Sequence, residues 1–340
     1  MKKLSRILAV VSAAAMMLSL AASGSNGGSA ANSGSTQSSA SQTGDGQKYT
    51  IGICQLVQHP ALDKATQGFK DALTEKLGEG NVTFNEQNAN GDSPTCSTII
   101  NGFVSSNVDL ILANATAPLQ AAAAGTDSIP VIGTSVTDYA TALDIDQWTG
   151  STGRNISGTC DLAPLDQQAA MIQELFPDAK TVGMLYCSGE PNSVYQIEQM
   201  EGYLTQMGYT CERFSFTDSN DVASVTQTAC ASSDVIYVPT DNTAASNTEL
   251  IANVVLPAQI PVIAGEQGIC SGCGVATLSI DYYDIGYQAG EMAYDVLVNG
   301  ADISTMDVQS AATAVKMYNE SVCQQLGLTM PEDYSPIAAD

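Results

Sequence analysis

Thr240, Asp241 and Asn242 stand together just after the apolar run Val235–Val238 and just before a helical pattern. A hydroxyl, a carboxylate and an amide there can hold a small polar molecule, because the first N–H groups of the following helix are also free. The combination recurs. Glu190, Asn192 and Ser193 follow the run Thr181–Tyr186, Glu266 follows Pro261–Ala264, and Asp281 follows Ala276–Ile280. Earlier, Gln55 and His59 follow Lys48–Cys54. Asn114, Ala115 and Thr116 follow Val108–Leu112, and Ser135 and Thr137 follow Pro130–Gly133. Such residues are suited to binding more than to reaction. His59 is the single histidine, so a Ser–His or Cys–His nucleophile would depend on it alone. No G-x-S-x-G elbow surrounds a plausible nucleophile, and one histidine without convergent thiols makes no zinc site. No catalytic residue, metal or cofactor is expected.

Each polar tip needs a rigid strand beneath it. Runs that are apolar on both faces read as buried parallel strands. Between them, apolar residues recur every three to four positions, as at Leu62, Ala65, Phe69, Leu73 and Leu77, the stripe of a helix. The alternation runs from residue 48 to Asp138, pauses over 139–160, and restarts at Leu165. The pause reads as a crossover, and a single helix is expected from Thr243 to Val255. The fold class is therefore α/β: two doubly wound Rossmann-like lobes joined by a hinge. Residues 48–158 with about 284–307 form one lobe, and 159–283 with about 308–334 the other. Strand ends of facing lobes converge on a cleft, where open α/β sheets bind ligands.

Composition narrows the setting. Acidic residues number 36 against 11 basic, for a net charge of −25, which repels nucleic acid and anionic membrane. Residues 1–22 read as an export signal, with Lys2, Lys3 and Arg6 ahead of an apolar run too short to span a bilayer comfortably. Ser23 stands where a lipobox would place the lipidated cysteine. Residues 23–47, nearly all Ser, Gly, Ala, Asn, Gln and Thr, read as a disordered tether. Export permits disulfides, but nine cysteines leave at least one unpaired within the chain. Most sit in strand or helix patterns as small buried hydrophobes. Cys270 and Cys273, in an expected Gly-rich loop, are either a local disulfide or two thiols.

Five segments together resemble ABC-importer substrate-binding proteins of the tryptophan- and tyrosine-binding type: Ile51–Asp63 (IGICQLVQHPALD), Tyr186 with Glu190–Ser193 (EPNS), Tyr237–Thr243 (YVPTDNT), Pro261–Gly265 (PVIAG) and Ile280–Tyr283 (IDYY). The resemblance spans about 50–330. It implies the type I periplasmic-binding-protein fold. It also implies an extracytoplasmic receptor, a surface lipoprotein in the family, that closes on an aromatic or hydrophobic amino acid. Such a receptor hands its ligand to an ABC permease and works as a monomer. A sugar, a nucleoside or a sensing role are the alternatives. A zwitterion needs partners of both signs. Ala115–Ala117, Ser135 and Thr137 are expected at its carboxylate, and Asp241, then Asp281 and Glu266, at its ammonium group. Gln55, Leu56, His59, Pro60 and Tyr186 are candidates for its side chain. Glu190, Asn192 and Ser193 are expected to reach it from the second lobe. Asp241, Asp281 and Asn192 could instead serve as helix caps.

Overall fold

Val131–Val136 and Val235–Val238 are buried along their whole length, as strands covered on both faces must be. The computed structural model describes residues 47–338 and gathers such strands into two sheets. The signal segment, Ser23 and the tether up to residue 46 lie outside the described residues.

The first half runs β1 (Tyr49–Gln55), α1 (Pro60–Leu77), β2 (Val82–Asn88), α2 (Ser93–Ser106), β3 (Leu110–Asn114), α3 (Thr116–Gly125), β4 (Val131–Val136), α4 (Tyr139–Ala142) and β5 (Ile156–Cys160). The second half repeats it: α5 (Leu165–Leu175), β6 (Thr181–Cys187), α6 (Pro191–Gln206), β7 (Thr210–Phe216), α7 (Val222–Ser232), β8 (Val235–Val238), α8 (Asn242–Ala245), α9 (Thr248–Ala258), β9 (Val262–Ala264), α10 (Gln267–Cys273) and β10 (Ala276–Ser279). Then come α11 (Tyr282–Leu297), β11 (Gln309–Ser310), β12 (Val315–Tyr318), α12 (Glu320–Leu326) and β13 (Ser335–Pro336).

The sheet orders are β2-β1-β3-β4-β5-β11 and β7-β6-β8-β9-β10-β12-β13. Every pair is parallel except β10 with β12. Each sheet thus has a switch point, between β1 and β3 in one and between β6 and β8 in the other, where ligands of doubly wound folds bind. The chain passes between the sheets three times, after β5, β10 and β11. Helix α11 belongs with the first sheet: Ala289, Met292 and Ala293 pack with Ile51, Ile53 and Phe69.

Three expectations need correction. The stretch 139–160 is not all crossover, because it contains β5. That strand hides its polarity: Ser157 Oγ donates to the Met306 carbonyl at 2.9 Å, and Thr159 Oγ1 to the Ile285 carbonyl at 3.1 Å. The helix expected over Thr243–Val255 is two helices. Ser246 Oγ and Asn247 Nδ2 donate to the carbonyls of Asn242 and Thr243, at 2.9 and 2.8 Å, competing with the backbone ladder between them. The Cys270–Cys273 segment is not a loop but the end of α10, started by the Glu266 side chain accepting from the N–H groups of Gly268 and Ile269. All nine cysteines lie in the described residues as free thiols.

One buried polar residue ties the second sheet to its helices. Gln168 on α5 donates through Nε2 to the carbonyls of Gly265 and Leu278, and accepts at 2.7 Å from the Tyr237 hydroxyl. Tyr237→Phe leaves Gln168 Oε1 without its donor in a dry core. Denaturant unfolding is expected to show a loss of about 1–3 kcal/mol. An unchanged midpoint would mean the hydroxyl contributes nothing net.

Candidate ligand-binding site

The strand ends of both sheets meet around a narrow polar cavity of about 10 Å³. The first sheet supplies His59 after β1, Ser135 and Thr137 around the end of β4, and Asp161 after β5. The second supplies Asn192, Thr240, Asp241, Asn242 and Glu266. Leu62, Ala245 and Tyr282 complete the wall. Beyond Asn192 and Asn242 lies a wider cleft of about 580 Å³ whose lining includes Leu56, Val57, Pro94 and Ala117.

Three buried carboxylates face the cavity, each supported differently. Asp241 caps α8 by accepting from the Ala244 N–H at 2.8 Å, and also accepts from the Cys187 N–H at 2.6 Å. Burial and the nearby Glu190 carboxylate raise its pKa. Glu266 holds the first turn of α10, and burial raises its pKa too. Asp161 has no backbone donor on its side chain. Thr137 Oγ1 and the Tyr282 hydroxyl donate to it at 3.0 and 2.9 Å, and burial outweighs them, moving its pKa up to about 6. No lysine or arginine lines this cavity.

The end of β4, beside Asp161, offers a donor and strain. A bulge between Gly133 and Val136 carries Ser135, whose φ of 54° lies in the left-handed region. Its buried hydroxyl has no partner. Ala115, at φ 102°, precedes α3, and no side chain caps that helix. Such outliers persist where surrounding structure over-determines them, often at ligand sites.

Some expected residues serve as supports. Gln55 accepts from Thr66 Oγ1 at 2.6 Å and donates to Asp63 at 2.7 Å; Asn114 Nδ2 donates to the Leu62 carbonyl at 2.8 Å and to Thr66 Oγ1 at 2.9 Å. Together they fix the first turns of α1 and thereby His59. Glu190 accepts from the backbone and side chains of both Asn242 and Thr243, which anchors α8. Ser193 and Thr116 are buried beside these networks, outside the cavity lining. Tyr186 and Asp281 are placed elsewhere. Tyr186 packs in the core among Met184, Leu204 and Tyr209, and Asp281 caps α11 at the surface. Sequence reasoning missed Asp161 because β5 was missed. The alternation Ile156-Ser-Gly-Thr-Cys160 before a lone aspartate was the available signal.

Two doubly wound lobes with a polar cavity between their strand ends define a solute-binding protein of the type I periplasmic-binding fold. Comparison with known proteins gives the family: residues 50–340 match the family described as ABC transporter substrate binding protein, and the chain belongs to it. A tyrosine-binding protein of Clostridioides difficile is 35% identical over 304 residues, covering 88% of each chain. A solved ABC domain in complex with L-Trp from Streptococcus pneumoniae is 32% identical, with a TM-score of 0.80 over 84% of this chain and 97% of that one. A ligand-free, open substrate-binding protein with adhesive properties from Clostridium difficile is 35% identical, with a TM-score of 0.65 over 86% of this chain and all of that one. Among the described residues, no helix is long and apolar enough to cross a membrane.

Proposed function

We propose that this protein captures an aromatic or hydrophobic L-amino acid between its lobes, outside the cytoplasm, and delivers it as a monomer to an ABC permease. One observation carries the ligand class. The cavity brings buried carboxylates, with no lysine or arginine, together with the unpartnered Ser135 hydroxyl, and the uncapped start of α3 follows the neighbouring strand β3. That division of charge matches a zwitterion. The ammonium group is assigned to Asp161 and Glu266. Asp161 is held by hydroxyls that can rotate aside, whereas Asp241 is committed to backbone N–H groups of two segments. The carboxylate is assigned to Ser135 and the first N–H groups of α3. The side chain extends toward Leu56, Val57 and Ala117 in the wider cleft. The relatives that are named for tyrosine or hold L-Trp support the same class. Contacts from both lobes exist together only when the cleft is closed, so the ligand favours closure.

A thermal-shift screen of the purified protein against the twenty amino acids, sugars and nucleosides tests this. A micromolar ligand at millimolar concentration stabilises the folded state by about 4 kcal/mol. L-Trp, L-Tyr or L-Phe are expected to raise the midpoint most. Shifts confined to sugars or nucleosides would overturn the assignment.

A further inference from the structure

His59 is the N-cap of α1 in the first lobe, yet its imidazole Nε2 lies 3.2 Å from Oδ1 of Asn242 in the second. The direction of this bond follows from its neighbours. Asn242 Nδ2 is 2.7 Å from Glu190 Oε2, and a carboxylate oxygen bound to no proton can only accept, so the amide turns its oxygen to His59. Nε2 therefore carries the proton. In the neutral ring Nδ1 is then a bare acceptor. That atom is buried, the residue is 6% exposed, and Nδ1 has no hydrogen-bond partner. It borders the same cavity as Glu266 and Asp161.

Three acceptors thus border one space, and no lysine or arginine lies between them. We infer that His59 is a specificity-determining residue: Nε2–H fastens the two lobes through Asn242, while Nδ1 accepts one N–H of the ligand's ammonium group, with Glu266 and Asp161 accepting the other two. The inference rests on the amino-acid reading and adds to it that one ring senses both the ligand's amine and closure. Binding at Nδ1 fixes the tautomer that the lobe-bridging bond requires, so each interaction favours the other.

The chain's single histidine gives one imidazole signal set, so ring-nitrogen NMR on the ¹⁵N-labelled protein tests this directly. With saturating L-Trp or L-Tyr, Nε2 is expected protonated, and Nδ1 unprotonated but shifted upfield by the new bond. A ligand-bound Nδ1–H tautomer, or an imidazolium, would overturn the inference. In His59→Leu, affinity for the same amino acid is expected to fall about 10- to 100-fold. The wild type's preference for L-Trp over its desamino analogue, indole-3-propionate, should shrink as well. An unchanged preference would sink the inference while leaving amino-acid binding intact. Failure of every amino acid to bind the wild type would instead remove the reading beneath it.

Discussion

Asp161→Asn is expected to abolish high-affinity amino-acid binding without destabilising the ligand-free protein. The carboxylate is buried, borders the cavity, and receives only two hydroxyls. Truncating one partner of a buried, hydrogen-bonded charge pair costs about 2–5 kcal/mol, so the loss in affinity should reach at least about 30-fold. The ligand-free protein behaves oppositely. Burial raises the Asp161 pKa to about 6 in the folded state, above its ordinary value of 3.8. A raised acid stabilises the fold below its unfolded pKa, and that contribution is lost as pH rises through the folded value. At pH 7 the ionised group therefore weighs against folding by on the order of 3 kcal/mol, and the amide removes that burden. The melting temperature of the ligand-free variant should equal or exceed that of the wild type. Its affinity should also lose a pH dependence. In the wild type, binding of an ammonium group weakens as pH falls from 7 through about 6, because Asp161 takes up a proton. Calorimetric titration between pH 5 and 8 measures both effects. If the Asp161→Asn variant binds within about threefold of wild type, Asp161 is excluded as the ammonium partner. The other ionisable groups bordering the cavity, His59, Asp241, Glu266 and Tyr282, are the same in both proteins, so the difference isolates one residue.

The largest stability loss is expected from Gly286→Ala. Helices α1 and α11 approach backbone to backbone through glycine. A Cβ on Gly286 would land on the Ala65 carbonyl, and one on Gly68 on the Tyr283 carbonyl. Neither obstacle is a side chain that could turn away. Overpacking costs about 1–3 kcal/mol, occasionally more, and a main-chain obstacle belongs at the upper end. Alanine's better helix propensity returns up to about 1 kcal/mol. The net loss of about 2–3 kcal/mol should lower the melting temperature by roughly 5–10 °C. Gly202→Ala is the control: it lies in α6 with nothing within 4 Å of an added Cβ, and should be neutral or mildly stabilising. If both variants melt alike, the helix contact is softer than its geometry implies. Because α1 carries His59, Gly286→Ala should weaken ligand binding too.

The doubly wound plan was legible in the sequence for a physical reason. Strands buried on both faces, such as Leu110–Asn114 and Val235–Val238, must be continuously apolar or nearly so, and few other elements look like that. Their polar tips were legible by position. What each tip residue does was less so. Asp281 and Asp241 have the same N-cap signature, yet one is exposed at the start of α11 and the other borders the cavity. Tyr186 and Cys187 are neighbours on β6 and point to opposite faces, both of them buried, so burial alone does not mark which one approaches the ligand. β5 was hidden because its buried positions are hydroxyls, paired with the carbonyls of Ile285 and Met306 far along the chain. Asp161 was hidden with it.

The return of α11 to the first sheet governs how this chain can be made. Ile51, Ile53, Leu110, Leu112 and Ile132 share a cluster with Ala289, Met292 and Ala293, which lie beyond the whole run from α5 to β10. A chain that emerges amino end first therefore presents β1–β5 with part of one face bare until residue 282 arrives. Each sheet has five strands in one unbroken stretch and is completed by later elements: α11 and β11 for the first, β12 and β13 for the second. Long-range closure of this kind slows folding and prolongs exposure of apolar surface. Neither sheet is complete until residues beyond 282 are available, so the fold closes only when nearly the whole chain is present.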